Sequence, residues 1–309
     1  MAVKRVGLLG AGTMGGDIAQ TVAATGIEVY IVEVSEQAVQ EAIKAIEQNI
    51  DAEIAKWGMT ESEKRAILSR IIPSTDIEDL KKKRVEVIIE AVPEDLQSKK
   101  EVFSQIDAIC DKDTLLISNT ATLSITEIAA DLVHKDKLIG MHFLNPAPKV
   151  PLVEIVRGLA TSDETCAQAR EFAEEIGKTP VEVFEYPGYI TARVIVPLLN
   201  EAMYVLMEGI ASAEDIDTAM RLGFNLGIGP LTLIDQIGLD ELLRWMESIH
   251  DELGELKYRP CPLLRKLVRA GYLGKKVGRG IFQYDEAGNK IGSSFGSISN
   301  PLEVKRKIY

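Results

Sequence analysis

Along the first two-thirds of the chain, short apolar runs alternate with segments whose apolar residues recur at every third or fourth position. A short continuous apolar run suits a buried strand, and the longer period suits a helix with one packed stripe. Val3 to Leu9 therefore reads as a strand, Gly15 to Ala24 as a helix and Glu28 to Val34 as a second strand, which together make a βαβ unit. Ser35 can cap a long second helix, in which Val39, Ile43, Ile46, Ile50, Ile54 and Trp57 form the stripe. Further strands are predicted at 85–92, 114–118, 137–143, 151–157 and 180–185, with helices at 96–110, 124–133 and 163–176. This alternation predicts an α/β fold with an open, doubly wound, mainly parallel sheet covered by helices on both faces.

The pattern changes at Tyr186-Pro187-Gly188. From there to about residue 272 it is helical, with no convincing strand, and the segment 194–210 (VIVPLLNEAMYVLMEGI) is apolar over most of its surface. A helix of that kind needs burial on several sides, which suits an all-α domain whose core continues into a subunit interface. The predicted organisation is residues 1–186, a helical domain at 187–285, and a tail at 286–309 whose Gly, Ser and Asn content predicts irregular structure. No internal repeat is found.

Composition agrees with this division. A chain of 309 residues with 46% hydrophobic and 27% charged residues has enough interior for two folded domains and lacks the signature of disorder. Its net charge of −12 argues against a broad nucleic-acid footprint, and any phosphate-bearing ligand has to be met by a few placed groups. Cys110, Cys166 and Cys261 form neither a metal-ligand pattern nor a disulfide framework, which fits a reducing compartment. The N-terminal apolar run is too short for a signal peptide, and no stretch reaches the roughly 18 apolar residues of a membrane span. The expectation is a cytoplasmic protein without membrane or nucleic-acid partners.

Candidate chemistry begins at Gly10-Ala11-Gly12-Thr13-Met14-Gly15, between the first strand and the first helix. The first glycine permits a tight turn, the second lets backbone approach a pyrophosphate, and the third allows close packing of helix on sheet, as in Rossmann-type nucleotide domains. Glu33 ends the second strand, where a carboxylate accepts bonds from ribose hydroxyls and repels a 2′-phosphate, so NAD is favoured over NADP. Of three histidines, His134 and His250 lie in polar surroundings and read as surface residues. His142 stands at the carboxyl end of a strand, the edge where open α/β sheets gather their ligands. Glu154, inside the apolar run LVEIV, needs a partner. The link NPAPKVP lets the chain double back and bring it to His142, giving a His-Glu general-base dyad. Each feature also has a plainer reading: a ligand-free turn, a solvated acid, a core histidine, or an ion pair of Glu154 with Arg157.

Seven segments, among them GAGTMGGDIAQ (10–20), SNTATLSITEIA (118–129), IGMHFLNPAP (139–148) and KYRPCPLLRKLVRAGYLGKKVGRG (257–280), resemble the L-3-hydroxyacyl-CoA dehydrogenases, bacterial 3-hydroxybutyryl-CoA dehydrogenases in particular. The resemblance runs in order from about Val3 to Tyr284. It implies reversible NAD-dependent oxidation of a 3-hydroxyacyl-CoA thioester, with His142 as base, Glu154 as its partner and a helical domain that forms a homodimer or higher homo-oligomer. It further implies that Glu94, Lys99, Asn145 and Lys276 lie around NAD, and that Lys56 and Asn49 meet CoA. Three positions depart from the family pattern. Ala121 stands where a serine is usual and Ala192 where many members have asparagine, which removes two polar contacts to the reacting oxygen and widens the acyl site. Asp17 replaces a usual glycine, where it suits the helix dipole of a first turn but crowds the pyrophosphate. Two other readings share these residues: a dehydrogenase of a free hydroxy acid, as in the gulonate dehydrogenases, and a weakened nucleotide-binding protein of structural or regulatory role, as in the lens crystallins of this superfamily.

Overall fold

In the computed structural model, which describes residues 3–56 and 58–295, all seven strands expected before residue 186 form. The order is β1 (Arg5–Leu9), α1 (Thr13–Ala24), β2 (Glu28–Val32), α2 (Glu36–Ile54), α3 (Glu61–Leu68), β3 (Ile71–Ser74), α4 (Glu78–Lys83), β4 (Val87–Glu90) and α5 (Leu96–Ile109). There follow β5 (Leu115–Ser118), α6 (Ile125–Ala129), β6 (Leu138–Phe143), β7 (Leu152–Arg157), α7 (Asp163–Glu175) and β8 (Thr179–Phe184). The eight strands form one sheet in the order β3-β2-β1-β4-β5-β6-β7-β8. All pairings are parallel except β6 with β7, where the 144–151 link turns the chain back.

Side chains alternate across this sheet and fill two cores. Leu8, Ile31, Ile89, Ile117 and Met141 belong to one, which includes Ile18 and Val22 of α1, Ile46 and Ile50 of α2 and Phe172 of α7. Leu9, Val32, Ile88, Leu116 and Val156 belong to the other, with Phe103 and Ile106 of α5 and Ile128 of α6. The α2 stripe packs as its spacing predicts, and the Ser35 hydroxyl caps the Ala38 N–H; Trp57 lies outside the described residues. Three elements escape the hydrophobic pattern. Strand β3 reads IIPS, too short and proline-broken to signal a strand, while α3 is half charged, α4 is mostly charged, and each buries little. The helix expected at 124–133 is shorter, ending after Ala129.

The chain divides into two units after Tyr189. The second contains α8 (Thr191–Met207), α9 (Ala213–Phe224), α10 (Pro230–Ile237), α11 (Leu239–Leu253) and α12 (Pro262–Arg269) around a core that includes Val196, Leu199, Leu231, Met246 and Leu264. An antiparallel hairpin, β9 (Phe282–Tyr284) and β10 (Lys290–Ser293), completes it. The hairpin corrects the expectation of irregular structure from residue 286; residues 296–309 lie outside the described part. Composition hid β10 because it is short and glycine-containing, and β9, the strand it pairs with, is fixed by a partner elsewhere in the chain. The buried Asp235 carboxylate of α10 accepts the N–H groups of Ile281 and Phe282, both at 2.8 Å, and the Tyr284 hydroxyl at 3.0 Å. Burial, opposed by those donors, lifts its carboxyl to about 6. Among the described residues no helix is long and apolar enough to cross a membrane.

Candidate active site

Consecutive strands β4 to β7 put polar residues on one face of the sheet at the edge where β4, β5 and β6 end. His142 and Glu154 are directly opposite one another in the antiparallel β6/β7 pair. Their side chains therefore share a face, and Nδ1 of His142 lies 2.7 Å from a Glu154 carboxylate oxygen, with both residues buried. Nε2 has no partner among the described residues. Phe143 N–H donates to the Asn119 side-chain oxygen at 3.1 Å, which fixes the end of β6 to the loop after β5. Tyr189 packs its ring 5.7 Å from the His142 ring and donates its hydroxyl to the Leu123 carbonyl at 3.2 Å. Burial raises that phenol well above its usual range, so it stays a neutral wall of the site. Sequence reasoning gave Asn119 and Tyr189 no role, although both fall inside motifs that it singled out.

Glu90 ends β4 on the same face and is fully buried. It accepts the Lys99 ammonium at 2.6 Å, the Ser118 hydroxyl at 2.6 Å and the Val92 N–H at 2.8 Å. Burial pushes its carboxyl up, and those donors oppose the shift. Lys99 also donates to the Val92 carbonyl at 3.2 Å and reaches Glu94 at 3.4 Å. Glu94 in turn gathers the loop after β5, taking the Thr120 hydroxyl at 2.6 Å, the Ala121 N–H at 2.9 Å, the Thr122 N–H at 3.0 Å and the Thr122 hydroxyl at 3.2 Å. Burial raises Glu94, but the Lys99 charge and the Thr120, Thr122 and Ala121 donors outweigh it and hold the carboxyl below its usual range. Lys99 was expected beside the cofactor. It is fully buried, paired with Glu90 at 2.6 Å and within 3.4 Å of Glu94.

The glycine-rich turn follows β1, next to β4, where the strand order reverses. Gly10 has φ +84°, and a Cβ there would meet the Ala91 carbonyl oxygen at 2.9 Å. A Cβ on Gly15 would lie 1.9 Å from the Gly10 oxygen. Gly12 has open space around it, and as N-cap of α1 it supplies no side-chain cap, which leaves first-turn N–H groups of Thr13 and Met14 for an anion. The buried Ala11 donates its N–H to Glu33 at 2.5 Å, so Glu33 braces the turn from the end of β2 while remaining partly exposed. These residues fit a dinucleotide: a close backbone approach, an uncapped helix start and a carboxylate at the ribose position.

The remaining expected residues are dispersed. Asn145 is exposed just after β6, and Lys56 is exposed without a partner among the described residues. Ala121 is half-buried in the loop that Glu94 holds. In the second unit, Ala192 is packed in the core and the exposed Lys276 pairs with Asp240 at 2.6 Å. His134 and His250, expected at the surface, are both half-buried, with Nδ1 bound to Asp107 at 2.7 Å and to the Glu255 carbonyl at 3.1 Å.

Asp17 corrects a further expectation. Helix α1 starts at Thr13, so Asp17 lies beyond the first turn and gains little from the helix dipole. Its buried carboxylate accepts the Asn49 amide at 3.3 Å and the Ala147 N–H, with Lys149 nearby; burial, opposed by these groups, raises it. Lys178, also buried, donates to the carbonyls of Ala147 and Val150, and Lys149 pairs with Glu53 of α2 at 2.6 Å. Asp17 thus ties α1 to the loop after His142 and takes up Asn49, a residue expected to meet CoA.

The N-terminal part, residues 5–186, matches the model of the 3-hydroxyacyl-CoA dehydrogenase NAD-binding domain, and residues 188–284 match that of the C-terminal domain. The chain belongs to the 3-hydroxyacyl-CoA dehydrogenase family. It is 46% identical to a probable 3-hydroxybutyryl-CoA dehydrogenase of Bacillus subtilis over 93% of this chain and 99% of the relative. Among solved structures, Mycobacterium tuberculosis FadB2 has a TM-score of 0.89 at 36% identity, over 92% of this chain and 100% of that one. The (S)-3-hydroxybutyryl-CoA dehydrogenase of Ralstonia eutropha has a TM-score of 0.84 at 44% identity with the same coverage. The chain is an NAD-dependent dehydrogenase, and residues 5–186 form its NAD-binding domain.

Replacing Asp17 by alanine leaves the buried Ala147 N–H without its acceptor, so unfolding in denaturant should show a loss of about 1–3 kcal/mol. NADH affinity, measured by fluorescence titration, should change little, because the carboxylate is turned toward Asn49 and Ala147. A large affinity loss at unchanged stability would put Asp17 on the nucleotide instead.

Proposed function

We propose that this dehydrogenase reversibly oxidises a (3S)-3-hydroxyacyl-CoA to the 3-ketoacyl-CoA, with His142 as general base and Glu154 as its orienting partner. The 2.7 Å contact between Nδ1 of His142 and the Glu154 carboxylate is the observation that carries this reading. With Nδ1 donating to Glu154, the neutral ring presents the lone pair of Nε2 for the proton of the 3-hydroxyl. Glu154 then balances the charge that the ring acquires, inside a sheet face where water is scarce. When bound, NAD supplies the acceptor for the hydride leaving C3. Gly10, Ala11, Gly12, Thr13, Met14 and Gly15 would cradle its pyrophosphate, Glu33 its adenosine ribose, and Asn145 and Glu94 would lie near its reactive half. For CoA, Lys56 is the stronger of the two expected contacts, because its ammonium has no partner among the described residues whereas the Asn49 amide is engaged by Asp17.

The acyl site is read as wider than is usual in the family. Ala121 offers a methyl group where a serine would offer a hydroxyl, and the neighbouring Thr122 hydroxyl is committed to Glu94 and does not replace it. A branched, cyclic or aryl acyl chain gains room beside Ala121, at the cost of a contact whose loss typically slows turnover by about 10²–10³; Ala192, packed in the core of the second unit, adds no room. The exposed apolar side chains Ile190, Val194, Leu222 and Phe224 of the second unit support assembly into a homodimer or higher homo-oligomer.

Three measurements check these statements. His142→Gln should lose nearly all turnover while binding NADH about as tightly as the wild type; wild-type turnover in this variant would remove the base assignment. Steady-state reduction of branched and aryl 3-ketoacyl-CoA thioesters should match or exceed that of acetoacetyl-CoA, and a clear preference for acetoacetyl-CoA would exclude the widened site. In sedimentation the protein should run as a dimer or larger, and a monomer at micromolar concentration would refute the assembly.

A further inference from the structure

One part of the second unit carries a charge imbalance that neither the glycine-rich turn nor the His142–Glu154 pair uses. Residues 256–280 contain eight lysines and arginines and no aspartate or glutamate, whereas the rest of the chain has 27 basic against 47 acidic residues. The fold concentrates part of this charge. Helix α12 buries Leu263, Leu264 and Leu267 in the core of its unit, which turns Arg265, Lys266 and Arg269 to the other side. With Arg259, Pro260 and Pro262 they line a groove of about 440 Å3. That volume falls within the range of small-ligand sites, roughly 300–1,000 Å3.

The rim of this groove is held in place before any ligand arrives. Asn200 of α8, itself buried, donates to the Arg259 carbonyl at 3.0 Å and accepts the Cys261 N–H at 2.9 Å. Pro260 and Pro262 restrict the same stretch of backbone, so less ordering entropy is lost on binding. Prolines also bring no N–H donors, and an anion here has to be held by side chains. Arg265 is partly neutralised by Glu247, but Arg259 and Arg269 have no acidic partner among the described residues. Guanidinium groups match phosphate oxygens two at a time, which distinguishes them from a general positive field. Glu247, paired with Arg265 at the edge, and the overall charge of −12 disfavour a long polyanion that would run beyond the groove.

We propose that this groove, lined by the second unit alone, binds a compact ligand carrying two or more phosphate groups. The phosphates can belong to a nucleotide or CoA-type molecule or to a bare inorganic polyphosphate, and the chemistry of recognition is the same. The inference is independent of the acyl substrate assigned above.

The test uses the full chain saturated with NADH, so that the glycine-rich turn is already occupied. Tripolyphosphate, ADP and free CoA are titrated by calorimetry into the wild type and into the double variant Arg259→Ser/Arg269→Ser. Both side chains are exposed, and an unchanged thermal midpoint verifies that the variant folds. The wild type should bind at least one of the three anions, more weakly as salt is raised, and the double variant should bind it about tenfold less tightly or worse, the loss expected for charge-assisted contacts. Counting only binding that the double variant weakens, tighter binding of ADP or CoA than of tripolyphosphate identifies a nucleotide ligand, and equal or weaker binding identifies a bare polyphosphate. Equal affinity in wild type and variant overturns the proposal, as does the absence of binding by all three anions. So does capture of a single-stranded oligonucleotide through these arginines when no small anion binds.

Discussion

A carboxylate placed inside a β-sheet has to be partnered, and this requirement organises the first unit. Removing one member of a buried ion pair typically costs about 3–5 kcal/mol, so Glu90 and Glu154 are tolerable only where the fold delivers donors to them. Glu90 receives Lys99 from α5, Ser118 from β5 and the Val92 N–H. Glu154 receives His142 from the strand lying antiparallel beside it. The acid that makes the sheet face expensive is the same acid that fixes the imidazole.

From these two anchors the rest of the site is assembled by short links. Lys99 passes from Glu90 to Glu94, and Glu94 gathers the backbone and hydroxyls of the loop after β5. The Asn119 side chain in that loop fixes the end of β6. On the other side, Asp17 and Lys178 grip the Ala147 peptide from its N–H and its carbonyl and hold the loop that follows His142. Nearly every polar side chain near the reacting edge is therefore satisfied by protein. Among the described residues, His142 Nε2 and the start of α1 are left open.

Charge follows a similar economy of placement. A protein with a net charge of −12 cannot attract phosphates through its overall field; the groups placed for them are backbone N–H groups at a helix start and, in our proposal, side chains concentrated in one stretch. The acid-free segment 256–280 is visible in the sequence, but only the burial of one side of α12 turns its cations onto a common groove.

The sequence by itself determined the doubly wound sheet, the change to helices near Tyr186, the glycine-rich turn and the pairing of His142 with Glu154. Each rests on local information: a period of apolar residues, glycines at fixed steps, and a carboxylate too costly to leave alone within six residues of a chain reversal. The tertiary structure decided what no period encodes. Strand β3 exists because β2 has an edge to cover, although IIPS carries little strand signal. The hairpin of β9 and β10 exists because Asp235, far away in sequence, accepts its backbone. Lys99 is enclosed with Glu90, and the Asp17 carboxylate is engaged by Asn49 and Ala147. Except for Lys99, which lies nine residues from Glu90, the deciding partner is distant along the chain, and a hydrogen bond or ion pair between distant residues leaves no mark on the local pattern of either one.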